Sequence, residues 1–181
     1  MGFGTPSLKA RALRHLARRE HSRAELERKL AAHAEDLPAA SAAEQIRSTL
    51  DELAARGLQS DARVAETLLA GSGRRLGVRR LAHTLRDKGL GAELVDAAVA
   101  QARGSEFARA SELWRRRFGA APADARERMR QMRFLAGRGF DADVIRRVVA
   151  GADDDLAADD RPPAAFEASD PQPDSEAGQP G

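Results

Sequence analysis

A chain of 181 residues with 42% apolar content is long enough for one domain or for an array of small units. It contains no cysteine, which excludes disulfides and thiolate metal sites and fits a reducing compartment such as the cytoplasm. The formal charge of +2 conceals a division at Gly151: residues 1–150 carry 29 basic and 19 acidic groups, a balance of +10, while residues 151–181 carry nine acidic groups against Arg161, a balance of −8.

Helical periodicity runs from Ser7 to Ala150, without the alternation that marks strands, so an all-α body is expected. The N-terminus MGFGTPSLKA lacks the layout of a signal peptide, and no apolar run is long enough to span a bilayer; a soluble, cytoplasmic protein follows. A first helix fits Ser7 to Arg19, with Leu8, Leu13 and Leu16 on one face. Ser22 and Glu25 form a capping box that starts a second helix, with Leu26 and Leu30 inward. Ser41 and Glu44 repeat the device and start a third, with Ile46, Leu50 and Leu53 inward and Gly57 closing it. Further helices fit Ser60 to Ala70, Gly77 to Lys88 before Gly89, and Ala92 to Arg103. Ser105 to Phe118 before Gly119, Pro122 to Arg138 before Gly139, and Asp141 to Ala150 before Gly151 complete nine. The stretch from Gly71 to Gly77 reads as a hinge, because it lacks the lysine and preceding strand of a phosphate-binding loop.

Self-comparison reveals a repeat. Lys88 to Val95 aligns with Arg138 to Ile145 at an offset of 50, which places Leu85 on Leu135 and Val99 on Val149. Leu26 and Leu30 fall on Leu81 and Leu85 at an offset of 55, and Ile46 and Leu50 on Val95 and Val99 at 49; the six-residue change locates an insertion near Pro38. The fold class is therefore an all-α, elongated, curved array of three tandem three-helix repeats. The expected divisions are a flexible N-terminus at 1–6, repeats at 7–58, 59–104 and 105–151, and a disordered acidic tail at 152–181. That tail, proline-rich and poor in large apolar residues, either shields the basic body or solubilises it.

No catalytic, metal-binding or cofactor-binding residues are assigned. His15, His21, His33 and His83 form no ligand cluster, and no nucleophile motif occurs. The remaining candidates are arginines, which account for 27 of the 30 basic residues and whose planar fork suits phosphate and carboxylate. With Leu81 and Leu85 inward, Arg79, His83 and Arg86 form an outer row near Arg74 and Arg75. Arg126, Arg130 and Arg133 form a second row beside Met129 and Met132, and Arg115, Arg116 and Arg117 a third cluster. Trp114 shares helical spacing with Phe107, Ala110 and Phe118, which places it in the core. The three arginine clusters on a basic body point to a polyanionic partner. A sequence-nonspecific DNA-binding module and a helical-repeat adaptor for an acidic protein surface are both consistent with these residues.

Residues 17–30 (ARREHSRAELERKL) and 50–65 (LDELAARGLQSDARVA) together resemble the bacterial RecX family. Residues 76–81, 85–90 and 133–140, with Val144 and Ile145, are similar to that family's second and third repeats. The resemblance covers Ser7 to Ala150; the longer loop at Pro38 and the acidic tail depart from the pattern. It implies a regulator that binds the RecA recombinase and its filament on single-stranded DNA; bare DNA is a further candidate partner on charge alone. It further implies inhibition of strand exchange, ATP hydrolysis and coprotease activity, and so a place in homologous recombination, DNA repair and the SOS response. It carries over no enzymatic activity, cofactor or catalytic residue, and a monomer is expected.

Overall fold

The computed structural model describes residues 5–159, with side chains described as far as Gly151. The described residues form nine α-helices, no strand, and one isolated bridge between Leu37 and Ala40. The helices are α1 (Leu8–Leu16), α2 (Arg23–Ala31), α3 (Ala42–Ala55), α4 (Asp61–Ala70), α5 (Val78–Asp87), α6 (Ala92–Arg103), α7 (Glu106–Arg117), α8 (Ala125–Ala136) and α9 (Ala142–Asp159). Their starts follow from capping chemistry. Ser7, Ser22, Ser41, Ser60 and Asp124 each accept a hydrogen bond from the backbone N–H three residues on, and both expected capping boxes are present. Gly57, Gly89, Gly119 and Gly139 follow the helices that they close, with φ between +66 and +79°, a region that costs other residues steric strain.

Several boundaries differ from the sequence reading. The eighth helix begins behind the Asp124 cap rather than at Pro122, because only Asp124 supplies an acceptor for the first turn. Gly151 does not close α9: its φ stays out of the left-handed region, and the backbone runs on to Asp159. Residues 160–181, the remainder of the expected acidic tail, lie outside the described residues, as do residues 1–4. The Gly71–Gly77 stretch, read as a hinge between helices, contains a 3₁₀ turn at Ser72–Arg75. A Cβ on its buried Gly73 would lie 2.7 Å from the Leu68 carbonyl oxygen.

The apolar side chains form three separate cores, one per three helices. The sequence alignment is reproduced in space. Leu30, Leu85 and Leu135 are all fully buried, as are Ile46, Val95 and Ile145 to within a few per cent. Ten residues separate α2 from α3 whereas four separate α5 from α6, which accounts for the six-residue insertion; Leu37 and Ala40 close it as a tight turn through reciprocal backbone bonds of 3.0 and 3.2 Å. One equivalence breaks the apolar pattern. Gln131 occupies the place of Leu26 and Leu81, fully buried, and its Oε1 accepts from Trp114 Nε1 at 2.7 Å while its Nε2 donates to the Ala120 carbonyl. A tryptophan brings an N–H into the core, and the glutamine satisfies it. Leu13 and Phe107, expected inward, are exposed; Ala12 takes the inner place on α1, and Arg147 covers the Phe107 ring at 4.6 Å.

The repeats are joined in series by one recurring device. The N-cap residue of the middle helix donates to a carbonyl at the end of the next repeat's middle helix: Ser22 Oγ to Lys88 O at 2.5 Å, and Gly77 N to Arg138 O at 2.9 Å. The first residue of the next repeat's first helix returns a carboxylate to that same helix start. Asp61 accepts from the Arg23 N–H at 2.8 Å, and buried Glu106 from the Val78 N–H at 3.0 Å. Each closing glycine then abuts the preceding repeat, so that a Cβ on Gly89 would lie 2.4 Å from Ala24 Cβ and one on Gly139 2.4 Å from Arg80 N. Such head-to-tail contacts extend an array instead of closing it.

Candidate nucleic-acid and partner interface

The stretch that begins α2 belongs to the first joint. Burial pushes the Glu25 carboxyl upward in pKa, but hydrogen bonds from Arg19, the Ser22 backbone and Lys88 outweigh it and hold it at about 2. Lys88 Nζ lies 3.0 Å away, so the same carboxylate caps α2 and ties it to the second repeat. His21 is buried beside it, and its Nδ1 lies 3.0 Å from the Arg19 carbonyl, to which it donates. The His15 ring lies 5.5 Å from that of His21. Burial lowers both imidazole pKa values, with Lys29 acting in the same direction. Of these groups, Glu25 holds the first two repeats together, while the two histidines pack within the first.

The candidate arginines all reach solvent. Arg74, Arg75, Arg79, Arg86, Arg115, Arg126 and Arg133 are exposed and make no ion pair among the described residues. Their position follows from the core: α5 turns Val78, Leu81, Ala82 and Leu85 inward, so Arg79, His83 and Arg86 occupy the opposite face. His83 lies 3.2 Å from Asp87, which tempers that row. Arg74 lines a crevice with Glu66, Gln101 and Arg109, where the second repeat meets the third.

On the third repeat, Arg126, Arg130 and Arg133 line one shallow depression with Asp124 and Glu127. Arg130 pairs with Glu127 at 2.9 Å and lies 5.6 Å from the Phe118 ring centre, while Arg117 approaches the same ring at 5.9 Å. The end of α7 and the row on α8 therefore meet over one phenylalanine. Arg116 is paired with Glu112 at 2.5 Å, and exposed pairs of this kind exchange readily with other anions.

A further basic surface lies on the first repeat, where Arg11, Arg14, His15, Arg18 and His33 line a second depression. The 11, 14, 18 spacing was available in the sequence as one outer stripe of the expected first helix, although α1 ends at Leu16 and Arg18 stands in the turn behind it. His33 joins it only because the end of α2 folds back there. Among the described residues no three His, Cys, Asp or Glu side chains gather as a metal site would require, and no helix is long and apolar enough to cross a membrane.

Three three-helix units, joined by one repeated contact and carrying exposed arginines, define a helical-repeat protein. Comparison with known proteins gives the family. Residues 105–149 match the model of the RecX third three-helix domain. The regulatory protein RecX of Leptothrix cholodnii is 52% identical over 147 residues, covering 81% of this chain and 90% of its own. That of Chromobacterium violaceum is 47% identical over 154 residues, covering 84% and 96%. Among solved structures, RecX from Lactobacillus salivarius superimposes with a TM-score of 0.63 at 19% identity, covering 81% of this chain and 94% of that one. The chain belongs to the RecX family of regulatory proteins.

Proposed function

We propose that this protein binds RecA and its filament on single-stranded DNA, and that it inhibits recombination, ATP hydrolysis and coprotease activity without catalysing a reaction itself. The observation that carries the reading is the set of seven exposed arginines without acidic partners, distributed over the second and third repeats. Exposed arginines spread over successive repeats suit an extended phosphate backbone, whereas an enzyme would gather its charges around one pocket. The arginines Arg74, Arg75, Arg79, Arg86, Arg115, Arg116, Arg126, Arg130 and Arg133 are the proposed contacts, with Arg11, Arg14 and Arg18 extending them onto the first repeat. Co-sedimentation with preformed RecA filaments on single-stranded DNA tests this. Retention that weakens when Arg126, Arg130 and Arg133 become Glu supports it, and no retention at any salt concentration refutes it.

The extra basic depression on the first repeat favours a second reading, a sequence-nonspecific DNA-binding module. Six phosphate contacts on a single strand would give a log–log salt slope of about −4. Tight binding to bare DNA with no effect on RecA would select that reading.

A further inference from the structure

As far as Gly151 the third repeat holds 11 basic and six acidic groups, +5, against +3 for residues 59–104 and +2 for residues 7–58; Asp153, Asp154, Asp155 and Asp159 at the end of α9 bring it to +1, so its basic and acidic groups are segregated within the one repeat. It is also the repeat from which the acidic terminus departs, since α9 packs against both α7 and α8. Beyond Asp159 stand 22 residues with Asp160, Glu167, Asp170, Asp174 and Glu176 against Arg161. Fully extended, 22 residues can reach about 70 Å. A twelve-residue helix such as α7 or α8 is only about 18 Å long, so every arginine of the repeat lies within range.

We propose that residues 160–181 bind in cis across Arg115, Arg126, Arg130 and Arg133, and compete there with the phosphates of nucleic acid. The arginines supply the motive. Arg115, Arg126 and Arg133 have no acidic partner among the described residues, and Arg130 has only Glu127, itself half-buried. A tethered acidic segment acts at an effective concentration in the millimolar range, so even a contact too weak to survive between separate molecules is populated. Competition at that concentration weakens nucleic-acid binding by about 2-fold when the cis contact has a millimolar dissociation constant, and by more when it is tighter. The tail would then discriminate by charge density: an isolated strand must displace it alone, whereas a filament that also contacts the other repeats does so with ease. The competition rests on the reading of this surface as a polyanion site; the cis contact does not.

The chain has no cysteine, so a spin label on Gly178→Cys reports the tail alone. At low salt the label should broaden the backbone amides of Arg126, Arg130 and Arg133 more than those of Arg11 and Arg14. About 0.5 M salt should abolish the difference, as should Asp160→Asn, Glu167→Gln, Asp170→Asn, Asp174→Asn and Glu176→Gln combined in the full chain. Broadening that is uniform, or indifferent to that neutralisation, overturns the cis contact. Affinity for an oligothymidylate should rise about 2-fold or more on neutralisation. An unchanged affinity with the broadening present overturns the competition. Broadening in a chain that binds no nucleic acid leaves the contact standing and removes the polyanion reading instead.

Discussion

Ser22 and Ser41 occupy the same capping box in successive helices, yet the structure gives them different tasks, and replacing each by Ala separates the two. Both hydroxyls accept from the N–H three residues on, at 3.1 and 3.3 Å, and losing such a cap costs about 1 kcal/mol. Ser41 is exposed, and the bond that its hydroxyl donates goes to Glu44 within its own box. Ser22 is fully buried, and its hydroxyl donates to the Lys88 carbonyl in the next repeat. Its removal also strands that acceptor at the joint, at a further cost of about 1–2 kcal/mol. Ser41→Ala should therefore cost about 1 kcal/mol and Ser22→Ala about 2–3 kcal/mol. At about 2–4 °C per kcal/mol for a chain of this size, the shifts in Tm are about 3 °C and about 5–10 °C. Urea unfolding followed by helical circular dichroism, with Tm as a second readout, measures both. Equal costs for the two substitutions would refute the assignment of Ser22 to the joint.

Glu106→Ala should destabilise by about 3 kcal/mol, because one carboxylate oxygen serves the buried Val78 N–H and the part-buried Asp141 N–H, and both lose their partner; urea midpoints measure it, and a cost below about 1 kcal/mol contradicts it. Gly139→Ala meets both a left-handed backbone and an Arg80 nitrogen 2.4 Å away, whereas Gly57→Ala meets only the former, so the first should be several-fold more costly by the same assay. Because the folded protein lowers the pKa of His15 and His21 below 6.5, the unfolded chain binds more protons under that value. The stability these residues supply is present above pH 6.5 and lost as pH falls through the folded values. The lowered Glu25 carboxyl acts only below pH 4.5, so urea midpoints between pH 7.5 and 5.5 should fall in the natural protein and flatten in His21→Phe. Arg126, Arg130 and Arg133 changed together to Glu should weaken partner binding about tenfold or more at unchanged helical content; unchanged affinity would move the contact surface elsewhere.

Much of the fold was legible because its signals are local. A serine three residues before a glutamate satisfies helix-start donors wherever it stands, and a glycine in the left-handed region ends the helix before it. The offsets of 50, 55 and 49 rested on core leucines whose burial each repeat needs independently. What escaped was what one repeat requires of another. Asp61 and Glu106 look like ordinary first-turn acids, and only the stacked structure shows each completing the helix start of its neighbour. Gln131 reads as a polar surface residue until Trp114 is seen to need an acceptor inside the core. Gly151 misled because glycine permits a helix end without imposing one. The exposure of the arginines followed directly from the burial of the leucines opposite them. Their lack of acidic partners did not, because pairing depends on which carboxylates the joints had already taken.

Because the proposed target is a filament, the decisive measurement is RecA's single-strand-dependent ATP hydrolysis with this protein added below stoichiometry, before or after filament assembly. The rate should fall with the natural protein and fall less when Arg126, Arg130 and Arg133 are all Glu. Hydrolysis unchanged by the natural protein in either order of addition would contradict it.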